Sequence, residues 1–220
     1  MSKAHTVFQN PTRLTQWVVR TIYALVVMIL INVILAVMSI QSLHEIDQSI
    51  DEATTNLSIS QWTTAGQAVI SVVALVLSLI WVYRIHSNLR QFKITGLSAT
   101  PAWSVAWYFI PIANLFKPYE GMKEAWQASA APGSWRSQEV SGLLPWWWFT
   151  WIITSFVDRI AYQFANGMVT VEDIIFWVKM NIVSNLLWIL PCILFIQIVT
   201  SICQMQINTS ASITEPINDI

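Results

Sequence analysis

The apolar residues of this chain come in long runs, not in strict alternation. No charged residue falls between positions 21 and 43, and the run 17–40 is 24 residues long. As a helix it spans a hydrocarbon core of about 30 Å. A second run covers 65–83 and ends at Tyr83 and Arg84. A fourth covers 143–164 and contains Asp158 and Arg159, and a fifth covers 173–204 with its apolar centre at 182–202. Each predicts a membrane helix. The third run, 102–116, has 15 residues and Pro111 inside it. A helix of that length reaches only about 22 Å, and a proline breaks it. The pattern predicts three parts: a polar N-terminal segment at 1–16, one helical membrane domain at 17–204, and a polar, mobile tail at 205–220.

Composition agrees with the runs. Hydrophobic residues make up 55% of the 220 and charged residues only 10%, against roughly 25% charged in soluble domains. This excludes an ordinary soluble enzyme, a disordered chain and a disulfide scaffold. The net charge of -1 gives no electrostatic footprint for nucleic acid. Cys192 and Cys203 are eleven residues apart in one apolar run. On a helix that is about 16 Å, too far for a bridge. The first run is too long for the roughly 7–15-residue core of a cleavable signal peptide, so it reads as a retained helix.

Charge placement orients the helices. Lys3, Arg13 and Arg20 flank the start of the first run, and Arg84, Arg90, Lys93, Lys117, Lys123 and Arg136 fall between 84 and 142. The connection after the first run carries Glu45, Asp47, Asp51 and Glu52, and that after the fourth carries Glu172 and Asp173; neither has Lys or Arg. The positive-inside rule places both termini and 84–142 in the cytoplasm. This arrangement needs four crossings, with 102–116 a re-entrant or interfacial half-helix. The alternative, in which 102–116 crosses as a fifth span, puts Lys117, Lys123 and Arg136 outside. Trp17, Trp81, Trp103, Trp107, Trp126, Trp135 and Trp146–Trp148 fall near the inner interface on this topology, as an aromatic belt does.

The most distinctive stretch is 81–126. It carries Trp81, Tyr83, Arg84, Asn88, Leu89, Gly96, Pro101, Trp103, Trp107, the run 109–115, Pro118, Tyr119, Met122 and Trp126. In this spacing of Pro and Trp the chain resembles the bacterial membrane family catalogued as domain of unknown function 4328, over about 60–200. The resemblance implies a small multi-span inner-membrane protein and implies no activity, cofactor or catalytic residue.

Three constellations carry what chemistry the sequence offers. At Pro111 and Asn114 the half-helix is broken, and irregular backbone at membrane depth is tolerated where protein buries it or water lines it. The segment therefore reads as a packed wedge in the bundle or as the lining of a cytoplasmic cavity. A helix over 118–128 follows, with Tyr119, Met122 and Trp126 on one face and Lys117, Glu120, Lys123, Glu124 and Gln127 covering the rest, as in an interfacial amphipathic helix. Arg84, Arg90, Lys93, Lys117 and Lys123 are candidate contacts for anionic lipid headgroups, or simply topogenic charges.

The third constellation lies within the membrane. Thr150, Thr154 and Asp158 recur every fourth residue, and Asn181, Ser184 and Asn185 lie at similar depth on the last helix, with Lys179 just above. An ionisable residue in a span is a functional candidate. The expectation is that Asp158 pairs with Lys179 or Arg159 and faces those amides. This serves either as glue between helices or as a proton or ligand site.

No H-E-x-x-H, G-x-S-x-G, Walker A or C-x-x-C motif occurs, and His5, His44 and His86 share no metal-ligand spacing. The sequence thus points to a non-enzymatic structural, adaptor or accessory protein of the inner membrane. It needs no cofactor or metal, and its partners are lipids, other membrane proteins or itself. A small transporter or channel using Asp158 is the first alternative, and a lipid-modifying enzyme the second.

Overall fold

A computed structural model describes residues 8–44, 50–165 and 170–214. Among the described residues the chain is all helical. Its elements in order are α1 (Thr12–His44), α2 (Ile50–Gln91), α3 (Pro101–Ala106), α4 (Lys117–Ala130), α5 (Leu143–Ala165) and α6 (Val171–Thr214). Short 3₁₀ turns lie at Trp107–Phe109, Ala113–Leu115 and Trp135–Ser137.

Among the described residues, three helices hold segments long and apolar enough to cross a membrane: Thr12–Gln41, Gln61–Gln91 and Glu172–Ile213. Their surfaces agree with that reading. Ile34 is 60% exposed, Val69 64% and Val72 60%, a density of exposed apolar side chains that water does not tolerate on a folded protein. The region 101–116 forms no helix longer than the six residues of α3, about 9 Å of rise.

Helix ends run past the apolar runs because hydropathy marks lipid contact, whereas capping marks helix ends. Thr170 and Asp173 form a reciprocal cap at the start of α6. The Thr170 N–H donates to Asp173 Oδ2 at 2.9 Å, and the Asp173 N–H to Thr170 Oγ1 at 3.1 Å. At the other end α6 continues to Thr214, so 205–214 is helical although its polarity reads as a tail. At the end of α2 the Ile94 N–H reaches the Leu89 carbonyl at 3.4 Å, with Lys93 in the left-handed conformation at φ 55°. This is a Schellman closure built on a lysine. Pro191 lies inside α6 and withdraws one donor from its ladder. Glu45 and Asp47 lie outside the described residues.

The chain divides into two compact units. One comprises Met1–Val19, Leu75–Trp146 and Leu194–Ile220, and the other Arg20–Ala74 and Trp147–Ile193. The first unit has a well-filled core in which Trp81, Ile85, Leu89, Ile198, Val199 and Ile202 are completely buried. The Trp81 ring meets Phe195 edge-on at 6.4 Å, and its Nε1 donates to Thr15 Oγ1 at 2.9 Å. Trp81 is therefore a core residue with a satisfied indole, not a ring of the surface belt. In the second unit Ile22, Ile29, Ala161, Trp147 and Trp148 are buried. These two Trp also leave the belt, whereas Trp17, Trp103 and Trp146 are exposed.

Candidate functional site

Among the described residues, the polar side chains that join the long helices gather at two places in the second unit and one in the first. In the second unit Asp158 of α5 accepts hydrogen bonds from two donors on α6. The Ser184 hydroxyl donates to Oδ1, and the Trp188 indole donates to Oδ2 at 2.5 Å. Residues 184 and 188 stand one turn apart, so both side chains emerge on the same face of α6. The expected ion pair is absent: Asp158 forms no salt bridge with Lys179 or Arg159 among the described residues, and both cations are exposed. Lys179 precedes Ser184 by five residues, which turns it about 140° away around the helix. Trp188, the donor that takes its place, is not among the residues the sequence singles out.

The three expected amide and hydroxyl neighbours of Asp158 separate. Ser184 faces the carboxylate. The Asn185 oxygen accepts from Gln67 Nε2 of α2 at 3.2 Å, while its own Nδ2 donates to the Asn181 carbonyl at 2.9 Å. Asn181 turns back on its own helix, donating to the Trp177 carbonyl at 3.0 Å. Gln67 also accepts from Asn32 Nδ2 of α1 at 2.5 Å. A chain of amides, Asn32, Gln67 and Asn185, thus joins α1, α2 and α6. Thr154 and Ser155 return their hydroxyls to carbonyls four residues back, so the threonine stripe of α5 serves its own backbone.

The first unit holds the larger group. Asn88 of α2 is 1% exposed and Gln206 of α6 is 0%. Asn88 Nδ2 donates to Gln206 Oε1 and to the Gln9 carbonyl, each at 2.9 Å, and Asn88 Oδ1 accepts from the Gln9 N–H at 3.2 Å. Gln206 Nε2 donates to the Ile85 carbonyl and to Ser129 Oγ of α4, each at 3.2 Å. Thr209 Oγ1 closes on the Ser129 carbonyl at 3.2 Å. The N-terminal segment, α2, α4 and α6 are all tied to one buried carboxamide pair.

The amphipathic helix expected over 118–128 is α4, and its apolar face is buried at Met122, Ala125 and Ala128. Its polar face is not all surface. Glu124 and Gln127 are buried too, because their heads hold loops of the same unit. Glu124 Oε2 accepts from the Ser98 N–H at 2.7 Å, and Gln127 Nε2 donates to the Gln138 carbonyl at 2.5 Å. Those loops are clasped further by Arg136, which donates to the Gly96 carbonyl at 3.0 Å and covers the Trp135 ring at 5.0 Å. Gly96 has φ 76°, and a Cβ there would collide with the Arg136 guanidinium.

The five candidate headgroup residues all belong to this unit. Arg90 donates to the Ala99 carbonyl at 2.9 Å, and Lys117 pairs with Glu120 at 2.5 Å. Lys93 and Lys123 are exposed and Arg84 is half-buried. Pro111 and Asn114 sit where the 3₁₀ turns reverse the chain. Some buried polar atoms have no hydrogen-bond partner: both ring nitrogens of His86, Oε1 of Glu124 and Oδ1 of Asn114. Burial pushes the Tyr108 hydroxyl above its ordinary pKa. His86 faces Gly121 of α4, where an added Cβ would stand 3.7 Å from Nε2. Among the described residues no three His, Cys, Asp or Glu side chains are grouped to hold a metal ion, and both cysteines are free.

Long apolar helices joined by hydrogen-bonded carboxamides are compatible with a multi-helical membrane protein. Within that class, the chain belongs to the family described as a domain of unknown function (DUF4328), whose pattern covers residues 44–204. No curated protein and no solved structure matches it.

Proposed function

We propose that this chain is a non-enzymatic integral protein of a bacterial inner membrane. It acts as a structural, adaptor or accessory component whose partners are lipids, other membrane proteins or further copies of itself. It crosses four times, through α1, α2, α5 and α6, with both termini and 84–142 in the cytoplasm. The fourth crossing is α5. Its 23 residues give about 34 Å. Trp146, Trp147, Trp148 and Trp151 lower its apparent hydropathy together with Asp158 and Arg159, although Trp is at home at a membrane interface.

The observation that carries this reading is the engagement of the intramembrane polar groups with one another. Asp158 is occupied by Ser184 and Trp188, and Asn32, Gln67 and Asn185 by each other. Polar groups arranged so are inter-helix glue. A transport path needs such groups to face water or substrate, and an enzyme needs converging acid and base groups.

The test is sided labelling in a Cys192→Ser, Cys203→Ser background, with Ala130→Cys as the reporter. Labelling from the cytoplasm alone supports four crossings, and labelling from outside overturns the topology. Asp158→Asn then separates the functions. The adaptor reading predicts weaker assembly in native membranes; a change in ion or solute flux with assembly intact would favour the transporter.

A further inference from the structure

The turn between α3 and α4 is built inside out for a water-soluble loop. Phe109 is 67% exposed, Ile112 79% and Phe116 62%. The polar member of the same turn points the other way, since Asn114 Oδ1 is buried. A segment lining an aqueous cavity shows the opposite sidedness, with polar groups facing the water. A wedge packed in the helix bundle would bury the three apolar side chains. The turn fits neither expectation drawn from its sequence.

Part of its backbone is hydrogen-bonded within the turn itself. The Asn114 N–H donates to the Ile110 carbonyl at 2.7 Å, that of Leu115 to Ile112 at 3.2 Å and that of Phe116 to Ala113 at 3.1 Å. Pro111 has no N–H to satisfy. Internal bonds of this kind lower the cost of bringing backbone toward hydrocarbon. The chain passes directly from Phe116 to Lys117, which pairs with Glu120, and Lys123 lies exposed further along α4. Apolar tips followed by cations match the order of acyl chain and anionic headgroup met on leaving a leaflet. The same unit exposes Leu75, Val76 and Ile80 on a span helix, so lipid is already its neighbour.

We infer that Phe109, Ile112 and Phe116 form a hydrophobic wedge inserted into one leaflet of the membrane, at a surface of anionic phospholipid. The proposal rests on the reading of the chain as a membrane protein but not on which side of the membrane the wedge lies. The wedge anchors the connection between α2 and α5 to lipid without crossing it, and fixes the depth at which α4 lies.

The test uses Ile112→Cys in the Cys192→Ser, Cys203→Ser background, labelled with an environment-sensitive fluorophore. The protein is reconstituted in vesicles of phosphatidylcholine and phosphatidylglycerol. Inserted as proposed, the probe loses about half its emission to doxyl-labelled lipid and little to aqueous iodide. Quenching by iodide instead places the turn in water and overturns the wedge. Silence toward both quenchers buries it in protein and also overturns it. Phe109→Cys repeats the measurement should the first variant fold poorly. Ala130→Cys, on the exposed end of α4, serves as the iodide-accessible reference. Replacing phosphatidylglycerol with phosphatidylcholine should make the lipid quenching at least about twofold weaker; unchanged quenching would remove the anionic part of the proposal. The sided labelling of Ala130→Cys reports topology separately, so the two readings fail independently.

Discussion

The indole nitrogen of Trp188 donates to the Asp158 carboxylate at 2.5 Å, joining α6 to α5 across 30 residues of sequence. Ser184 takes the other carboxylate oxygen. A carboxylate with two oxygens can satisfy two donors, whereas a carboxamide offers one oxygen and an NH₂ group that repels the second donor. Asp158→Asn should therefore cost about 1–3 kcal/mol. Trp188→Phe, which keeps most of the ring, should cost less. Thermal unfolding in detergent measures both. An Asp158→Asn protein as stable as the native one would sink the assignment of this carboxylate as glue.

Gln67 stands between Asn32 and Asn185, using its oxygen for the first and its nitrogen for the second. Interhelical hydrogen bonds in membranes contribute about 0.6 kcal/mol on average and at most about 1.7. Gln67→Leu removes both and should destabilise by about 1–3 kcal/mol on that scale. Asn32→Leu, which removes one, should cost roughly half as much. Equal losses for the two would show that the amides do not act as a chain.

Lys93 and Gly96, three residues apart, both adopt positive φ, and replacement should act in opposite directions. A side chain in the left-handed region costs roughly 1–2 kcal/mol, so Lys93→Gly should stabilise, less the entropy that glycine adds to the unfolded chain. Gly96→Ala should destabilise by about 1–3 kcal/mol, because the new Cβ meets the Arg136 guanidinium as well as the unfavourable φ. Limited proteolysis between 92 and 100 reads both effects. Adding Arg136→Ala to Gly96→Ala should recover part of the loss.

Asn88 and Gln206 meet across 118 residues with both side chains buried. Truncating either removes one of the other's partners in a buried site, at about 1–3 kcal/mol each. Truncating both should cost less than the sum, with a coupling of about 0.5–3 kcal/mol in a double-mutant cycle of Asn88→Ala and Gln206→Ala. Additive losses would mean that each amide is held by its other partners alone.

The long helices and the family were legible in the sequence because long apolar runs and the Trp and Pro spacing are local signals. The candidate polar positions Asp158, Ser184 and Asn185 were legible as types, but their partners were not. Trp188 hides as one more aromatic among 13 Trp, and its role appears only when helix rotation places it one turn from Ser184. Gln206 lies in a stretch whose polarity resembles a tail, yet it is the most enclosed amide of its unit. Glu124 and Gln127 look like the wet side of an amphipathic helix, because the loops whose backbone they bind are placed by tertiary structure. The outward turn of Phe109 and Ile112 follows from two 3₁₀ turns around Pro111, a geometry that no periodicity announces.

The Asn88–Gln206 pair also sets a schedule for biogenesis. Asn88 leaves the ribosome more than a hundred residues before its partner exists, and membrane insertion proceeds in the order of synthesis. Until α6 arrives, the only final partner the α2 amide has among the described residues is the backbone of Gln9. The buried pair of this unit can therefore close only after α6, the last helix, has been delivered.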